Sequence, residues 1–405
     1  MFFSPLTAVM SIVLVWLAIG FAGLVAPRSL PWVARTLFPL GAFVGLGLAV
    51  AAGMALFGAT ETRILPLGLP DLPMHMRLDA LAAVFLGLIG LAGSGISVYA
   101  AGYFRPGEGT APGLQCLQYH VFLASMAVVV LADDAFAFMV AWETMALSSY
   151  FLITTQHRIP EIRSAGFLYL LFAHVGATAL LLCFGVLQGG SWHFTFDAMR
   201  GAQLSPLWGS VAFGLALVGF GAKAGLVPMH VWLPEAHPAA PSPVSALMSG
   251  VMLKTAIYGF VRVSFDLLPH TQWLWGAVVL ALGAFTGLFG AVFAAVQTDM
   301  KRLLAYSSVE NIGIIVAAIG LGVVFAAHGK ALLAAVALTA ALYHCLNHSM
   351  FKTLLFLATG AVMHATQERS LGRLGGLIHR MPWVAWLALV GTLAIAGLPP
   401  LNGFV

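Results

Sequence analysis

The sequence predicts an all-α polytopic membrane protein with about twelve transmembrane helices. Hydrophobic residues make up 61% of the 405-residue chain and charged residues only 8%. This balance argues strongly against a water-soluble fold. Apolar runs of about 20 residues, the length that crosses a membrane once, recur along the whole chain. No soluble domain, long linker or low-complexity tract separates them.

The first apolar run lacks a basic flank and a small-residue cleavage site, so it is predicted to be a helix and not a removed signal peptide. The expected spans are residues 5–25, 37–58, 79–103, 116–132, 135–155, 161–188, 208–233, 242–265, 272–297, 303–325, 330–364 and 382–405.

The basic residues predict the orientation of these spans. Counted from the first, the odd-numbered connections hold 10 Lys and Arg residues and the even-numbered ones hold 4. Because basic residues favour the cytoplasmic side, the odd connections are expected in the cytoplasm and the N-terminus outside. The net charge of +4 is therefore mainly a topology signal and does not indicate a nucleic-acid partner.

Gly/Pro interruptions in the apolar runs predict helices that break inside the membrane. The expected breaks are at Pro228, Pro234, Pro399 and Pro400. The segment 224–228 resembles the segment 396–400, and such paired breaks are typical of transporters built from inverted repeats. We expect an N-terminal three-helix segment at 1–110, a first five-helix repeat at 111–266 and an incomplete second repeat at 267–405.

Arg163 and Lys330 stand at span ends and are counted with the adjoining connections, which leaves four basic residues inside the expected spans: Lys223, Lys254, Arg262 and Lys352. A charge in the hydrocarbon core is costly, so such residues usually serve function. Lys254 is expected near the midplane and Lys223 beside the break at Pro228. Arg262 lies nearer a helix end, where its side chain is expected to snorkel to the interface.

Glu143 is the acidic residue expected at similar depth. It follows Asp134 by nine residues, which places it roughly 13 Å into the membrane at 1.5 Å per residue. A fixed ion pair that locks helix packing is one alternative. A group that exchanges its proton is favoured, because burial destabilises the charged forms of both carboxyl and lysine groups. We expect Glu143 to pair with Lys223 and to modulate the pKa of that lysine.

The run from 330 to 364 would be roughly 50 Å long as one straight helix, so it is expected to tilt, break or protrude. His344, His348 and Lys352 are spaced to share one face of this helix. Three ionisable groups in one stripe favour a proton relay. Haem binding is the weaker alternative, because each histidine would need a partner from another helix. His174 and Glu310 are possible further members of the relay.

The sequence carries no signature of a redox or nucleotide site. Cys116, Cys183 and Cys345 are isolated in apolar surroundings, as small buried side chains usually are. There is no iron–sulfur spacing and no phosphate-binding glycine motif. We therefore expect no metal, no cofactor and no redox centre in this chain.

Five motifs carry a resemblance to a known family. AKAGLVPMHVWLPEAHPAAPSPVSALMSGVMLKTAIYG, WETMALSSYFLI, DMKRLLAYSSVENIG, HCLNHSMFKTLLFLATGAVMHAT and AIAGLPPLNGFV resemble signatures of the antiporter-like subunits. These subunits occur in respiratory complex I, in group 4 membrane-bound hydrogenases and in multi-subunit cation/proton antiporters. The resemblance covers roughly residues 75–405. The first motif, from PMHVWLPEAHPAAP onwards, is most similar to the large membrane subunit of hydrogenase-4 and formate hydrogenlyase complexes.

The resemblance implies roles for the residues singled out above. Glu143 matches the acid of the fifth helix, Lys223 the lysine of the broken seventh helix, and Lys254 the lysine that links two half-channels. His344, His348 and Lys352 match the polar line of the eleventh helix. The family continues beyond the last break with a further ionisable group, whereas this chain stops at Val405. A C-terminally truncated chain is therefore expected.

The function expected from the resemblance is proton translocation in a bacterial or archaeal cell membrane. It would be driven by electron transfer in partner subunits, namely other membrane subunits and a peripheral arm of the iron–sulfur, nickel–iron or NADH type. The main alternative is a sodium or potassium/proton antiporter subunit. A purely structural membrane anchor and a haem-bearing electron carrier remain as further alternatives. Membrane lipids are the other expected contact.

Overall fold

The computed structural model describes residues 4–105, 107, 109–268 and 270–404. Within these residues, eleven helices are long and apolar enough to cross a membrane, and one shorter apolar helix follows them. The prediction of an all-α polytopic membrane protein is confirmed. The helices are α1 (Pro5–Val25), α2 (Leu30–Leu56), α3 (Ala80–Tyr103), α4 (Pro112–Leu131), α5 (Ala135–Gln156), α6 (Pro160–Leu187), α7 (Pro206–Ala239), α8 (Ser242–Leu267), α9 (Trp273–Ala295), α10 (Met300–Ala327), α11 (Ala331–Thr366) and α12 (Pro382–Ile395).

Short polar residues and prolines set where these helices begin. Asp79, Asp134 and Asp299 cap α3, α5 and α10, where each carboxylate accepts hydrogen bonds from backbone N–H groups of the first turn. The second helix begins at Leu30, earlier than the expected residue 37, because Ser29 caps it. The described helix α12 has 14 residues, shorter than the roughly 20 that one crossing needs.

A β-hairpin between α2 and α3 was not predicted. Strand β1 (Glu61–Leu69) pairs antiparallel with β2 (Leu72–Leu78), from Glu61 opposite Leu78 to Leu69 opposite Leu72. Three prolines in this stretch, Pro66, Pro70 and Pro73, hide its strand pattern, since proline is disfavoured inside a sheet. The register is irregular between Leu65 and Gly68, beside the first of them.

Helix α7 is broken as predicted, with one correction. Its first part ends at Ala224, and Gly225 turns the chain with φ of 83°, a left-handed conformation that glycine adopts without strain. A 3₁₀ turn, Met229–Trp232, and a short helix, Leu233–Ala239, complete it. Pro228 therefore lies in the break. Pro234 instead lies in the first turn of the short helix, where proline is well tolerated.

The expected break at Pro399 and Pro400 is also present. Helix α12 ends at Ile395, Gly397 has φ of 69°, and the prolines lie in the turns that follow. By contrast, α11 runs without a break over 36 residues, or about 54 Å.

Helix α8 lies at the centre of the protein. All of the residues in its membrane-length window are buried, whereas α9 and α11 have only 22% of theirs buried. A helix enclosed on all sides meets protein and not lipid. Any ionisable group on α8 therefore interacts with neighbouring helices.

Successive connections lie at alternate ends of the helix bundle, as expected when each helix crosses the membrane once. Residues from the α3–α4, α5–α6, α7–α8, α9–α10 and α11–α12 connections line one common cavity of about 630 Å³. We call this side the odd side and the opposite one the even side. Ion pairs on the even side join the α2–α3, α4–α5, α6–α7 and α8–α9 regions.

Candidate functional site

Lys223 lies in the last turn of the first part of α7, directly before the break. Its side chain is 2% exposed. The ammonium Nζ donates to the Tyr169 hydroxyl at 2.8 Å, and that hydroxyl lies 2.5 Å from Ser149 Oγ. The same ammonium faces the rings of Trp142 and Tyr169 at 5.6 and 5.0 Å. Lys223 is thus held by neutral oxygens and aromatic rings.

The structure does not form the direct Glu143–Lys223 ion pair that we expected. Among the described residues, no carboxylate lies within the 4.0 Å ion-pair limit of Lys223. Glu143 instead faces His174, whose Nε2 lies 3.7 Å from Glu143 Oε2. Glu143 still lies close enough to act electrostatically on Lys223 and on Tyr169. The physical reason is that the Tyr169 ring occupies the space beside the ammonium.

The Glu143–His174 pair lies at the surface of the helix bundle. The two side chains are 31% and 54% exposed, in contrast to the buried lysines. His174 therefore lies next to Glu143, on the outer surface of α5 and α6, and not beside the α11 stripe.

Lys254 is in direct contact with His348, which joins α8 to α11. Its Nζ hydrogen-bonds to His348 Nδ1 and to the Ser249 carbonyl, the latter at 2.5 Å. A π-helical turn, Met248–Met252, precedes Lys254, and in it the Leu253 N–H bonds to the Met248 carbonyl. This wide turn leaves the Ser249 carbonyl to the lysine. Such π turns are frequent at functional sites.

The expected stripe on α11 faces α8 and α10. His344 Nε2 lies 2.9 Å from Asn311 Oδ1, and His348 contacts Lys254. Lys352 donates to Ser307 Oγ at 2.7 Å and to the Leu304 carbonyl at 2.8 Å. The structure thus brings the three stripe residues and Lys254 together. Glu310, also on α10, lies within electrostatic reach of Lys352.

Two further residues of this site were missed at the level of sequence. Lys301 was counted as a loop charge, yet it is 2% exposed and its Nζ donates to the Ala240 carbonyl at 2.6 Å. His237 is fully buried, and neither ring nitrogen has a hydrogen-bond partner among the residues that the structure describes. It lies within electrostatic reach of Lys254, Lys301 and Lys352. The available signal was a histidine between prolines in PEAHPAAP.

Lys301 and Ala240 also line the odd-side cavity. Its other lining residues include Glu235 and Arg302, which form an ion pair, and Asp299 and Arg369, which form another at 2.9 Å. The cavity is therefore a charged vestibule whose wall contains a buried lysine. His237 is next in sequence to the lining residue Pro238 and two residues from the lining residue Glu235.

The snorkelling predicted for Arg262 is wrong. Its guanidinium is buried and makes a bidentate pair with Asp79, with Nη1–Oδ2 and Nη2–Oδ1 distances of 2.7 and 2.9 Å. It also bonds to Asp266, which Arg200 binds at 2.9 Å. Arg200 reaches Asp133 at 3.0 Å. Asp79, from the distant α2–α3 connection, and the neighbouring Asp266 thus hold Arg262 inside the protein at the even side.

Burial and the local polar partners together determine the pKa values of three acids that lie outside the spans. Burial alone would raise the pKa of Asp79, but the hydrogen bonds and charge of Arg262 outweigh it and hold the pKa at about 2. Burial raises the pKa of Asp133 although Arg200 opposes it. Burial also raises the pKa of Asp134, against its backbone hydrogen bonds. The Asp79–Arg262 pair is therefore charged at any physiological pH.

The three cysteines are free and buried, as expected from their apolar surroundings. Within the part of the chain that the structure describes, no group of three or more His, Cys, Asp or Glu side chains is placed to hold a metal ion.

Comparison with known proteins identifies the family of this chain. Residues 132–405 match the family model described as NADH:quinone oxidoreductase/Mrp antiporter, TM. The chain is 43% identical over 335 residues to hydrogenase-4 component B of Escherichia coli, covering 82% of this chain and 50% of that protein. It is 36% identical to formate hydrogenlyase subunit 3 of the same organism, covering 81% and 52%.

The fold matches a solved complex as well. The structure of the Mrp complex from Dietzia sp. DQ12-45-1b aligns with a TM-score of 0.80 and 28% identity, covering 97% of this chain and 42% of that one. The chain spans about half the length of the curated relatives named above. The family resemblance predicted from the motifs is confirmed, and this multi-pass membrane protein belongs to the NADH:quinone oxidoreductase/Mrp antiporter transmembrane family.

Proposed function

We propose that this chain translocates protons as a membrane subunit of a hydrogenase-type or other respiratory complex, driven by electron transfer in partner subunits. The observation that carries the proposal is a set of buried lysines held only by neutral groups. Lys223, Lys254, Lys301 and Lys352 are each at most 2% exposed. Among the described residues, none of the four has a carboxylate within 4.0 Å.

A buried lysine without a counter-ion can exchange its proton more readily than one in a fixed ion pair. An ion pair inside a protein stabilises both charges, and removing the proton would leave the acid unpaired. Here the partners are hydroxyls, carbonyls and an imidazole, which accept a hydrogen bond from an ammonium. A hydroxyl or imidazole can also donate one to the neutral amine. Both protonation states can therefore be satisfied without moving the backbone.

The Lys254–His348 contact is the centre of the proposed path. One proton can lie on either the Lys254 amine or the His348 imidazole across this hydrogen bond. A proton that arrives at either residue can therefore pass between α8 and α11. From His348, the stripe continues to His344 and Lys352. This assigns Lys254 the linking role and the stripe residues the second half of the path.

Access from the odd side is supported by buried polar atoms between the vestibule and the centre. In the described part of the chain, five side chains of this region have a nitrogen or oxygen without a protein hydrogen-bond partner: His237, Ser242, His348, Ser349 and Thr353. Such atoms in protein interiors are normally satisfied by ordered water. We propose that Lys301 and His237 take up protons from the vestibule and pass them through this region to Lys254.

Glu143, Lys223 and Tyr169 form the other end of the proposed axis. The Tyr169 hydroxyl also lies 3.7 Å from the Met252 sulfur, on the π turn before Lys254. We propose that Met252 separates the Lys223 region from Lys254. We propose that Glu143 acts on Lys223 through its electrostatic field, and that a shift of Met252 opens transfer between the two lysines.

The repeat organisation of the chain and its orientation in the membrane belong to the same proposal. Residues 111–266 and 267–405 form related repeats after an N-terminal segment at 1–110. In support, Gly225 and Gly397 both follow a helix end with positive φ, ahead of a proline. The 10-to-4 distribution of basic residues supports odd connections in the cytoplasm and an outside N-terminus, in a bacterial or archaeal cell membrane.

Proton movement through the assembled complex tests this function. The complex is reconstituted in proteoliposomes with trapped pyranine, and a potassium diffusion potential set by valinomycin drives the protons. Lys223→Ala and Glu143→Ala are expected to abolish the potential-driven pH change while the complex still assembles. Lys330→Ala, at an exposed loop lysine, is the matched control and should leave it unchanged. Unaltered proton movement in both pathway variants would show that the axis is wrong.

A sodium or potassium/proton antiporter subunit is the second candidate. The likeness to the Mrp complex structure at 28% identity and the family description favour it. The two functions differ in their cation requirement. The same proteoliposomes, without valinomycin, receive an inward gradient of sodium, potassium or choline, and none of the three should change the internal pH if only protons move. A pH change driven by sodium or potassium, but not by choline, would favour the antiporter.

A further inference from the structure

The outer face of α9 and α10 carries a groove with one carboxylate in it. The groove has a volume of about 500 Å³, and its other lining residues are small or aliphatic. They include Gly283, Ala284, Gly287, Ala317 and Leu321, with Glu310 as the charged member.

Close packing of the two helices makes the groove. Gly283 and Gly290 of α9 lie against the backbone of α10, and a Cβ added at Gly290 would come within 2.7 Å of Glu310 Cα. Gly313 and Gly320 approach α9 from the other helix, so the two backbones nearly touch. Small residues at the contact leave a smooth, shallow surface where larger side chains would otherwise project. This geometry suits the close approach of a third helix.

Glu310 lies deep in the membrane at this surface. It lies about 15 Å from the start of α10, near the middle of a core about 30 Å thick. Its side chain is only partly buried, because the groove is open on one side. Among the described residues, Lys352 is the charged group that acts on it, and Lys352 itself donates to Ser307 and Leu304 instead.

A carboxylate facing hydrocarbon is costly unless a cation or donor meets it. The charge complement is a Lys, Arg or His side chain at the same depth. The groove around Glu310 is apolar and lined by small residues, so the element that brings this side chain must be an apolar helix.

We infer that the α9–α10 groove is a docking site for a transmembrane helix of another subunit, which places a basic side chain against Glu310. The inference is independent of the proton pathway proposed above. The α9–α10 groove is separate from the odd-side vestibule, because the groove opens towards the membrane. It assigns to Glu310 an intersubunit contact in addition to its electrostatic effect on Lys352.

Site-specific photo-crosslinking in the membrane tests this inference. A diazirine amino acid at Ala317 lies in the groove, and one at Val336, an exposed position on α11, is the matched control. We expect the Ala317 probe to give an adduct with a transmembrane segment that carries a basic residue near its middle. Glu310→Gln should lower the yield about tenfold, as expected for loss of a charge-assisted hydrogen bond. The Val336 yield should not change.

Two further variants make the outcome decisive. Ala284→Trp fills the groove from its open side while keeping Glu310, and it should also remove the adduct. Glu310→Lys should abolish the adduct, and replacing the partner's basic residue by Glu should restore it. Adducts with lipid alone, an adduct segment without a basic residue, or a yield that ignores Glu310→Gln would each overturn the inference.

Discussion

Lys254 of α8 and His348 of α11 meet through a direct Nζ–Nδ1 hydrogen bond at the centre of the protein, although 94 residues separate them. Neither has an acidic partner among the described residues, since the second bond of Lys254 goes to the Ser249 carbonyl. Two basic groups in contact in a buried site are not both protonated without a large energetic cost, because burial and the neighbouring positive charge both disfavour the charged forms. The pair is therefore suited to share one proton.

Replacing His348 should interrupt the path while leaving Lys254 in place. For His348→Ala we expect the rate of proton movement to fall at least about a hundredfold, the lower range for loss of a positioned acid–base group. His328→Ala, at an exposed histidine on the even side, is the control. The measurement is the pyranine signal in proteoliposomes under a potassium diffusion potential. A His348→Ala rate within twofold of the control would contradict the role assigned to the pair.

Tyr169 is expected to matter through its hydroxyl alone. Tyr169→Phe keeps the ring beside Lys223 but removes the oxygen that the ammonium bonds to at 2.8 Å. Loss of a hydrogen bond to a charged group costs about 1.5–3 kcal/mol, so proton movement should slow by about tenfold or more. Tyr343→Phe, at an exposed tyrosine on α11, should have no effect. If both variants transport alike, Lys223 does not depend on Tyr169.

Lys301 is expected to act at the odd-side vestibule. Lys301→Ala removes the buried ammonium that bonds to the Ala240 carbonyl, whereas Lys330→Ala removes an exposed lysine at the even side. Only the first should slow proton uptake, and the defect should be strongest when protons are driven inward from the odd side. Vesicles of both orientations, each assayed with pyranine, separate the two directions. Equal rates for the two variants would place proton uptake elsewhere.

The Asp79–Arg262 pair predicts a dependence of stability on pH. The pKa of Asp79 falls from its ordinary value of 3.8 to about 2 in the folded protein, which corresponds to a stabilisation on the order of 2 kcal/mol. Because the folded pKa is depressed, this stabilisation is fully present above the ordinary value and is lost as the pH falls from there through about 2. Thermal unfolding of the purified complex between pH 3 and 7 should show the onset of this loss for the wild type, below about pH 4.

Asp79→Asn supplies the matched comparison. It should lower the unfolding temperature at neutral pH and lose less stability than the wild type as the medium is acidified. Asp71→Asn, at the exposed hairpin turn, should behave as the wild type. An Asp79→Asn protein that matches the wild type at neutral pH would show that the pair contributes nothing to stability.

The spans could be predicted because a membrane imposes length and hydrophobicity on every helix. The break at Pro228 followed from its missing N–H group and the neighbouring Gly225. The hairpin at 61–78 could not be predicted, because its three prolines disfavour a strand when each segment is considered alone. The two strands form through their pairing with each other.

The site was partly predictable for a related reason. Lys223 and Lys254 interrupt long apolar runs, so their burial is visible in the sequence. Lys301 lies next to a connection and has the same sequence environment as a loop charge, yet it folds onto the Ala240 carbonyl. Arg262 was misjudged because its partner Asp79 is 183 residues away. Pairings at such distances depend on which helices meet, which local patterns do not contain.

Proton movement by Lys254→Arg tests the central claim most directly. Arginine keeps the positive charge and the hydrogen bonds but does not give up its proton in proteins. If buried lysines move protons by exchanging them, this variant should assemble and yet fail to change pyranine fluorescence in proteoliposomes, while Lys330→Arg transports normally. Normal transport by Lys254→Arg would show that only the charge at position 254 is needed, and would contradict the account.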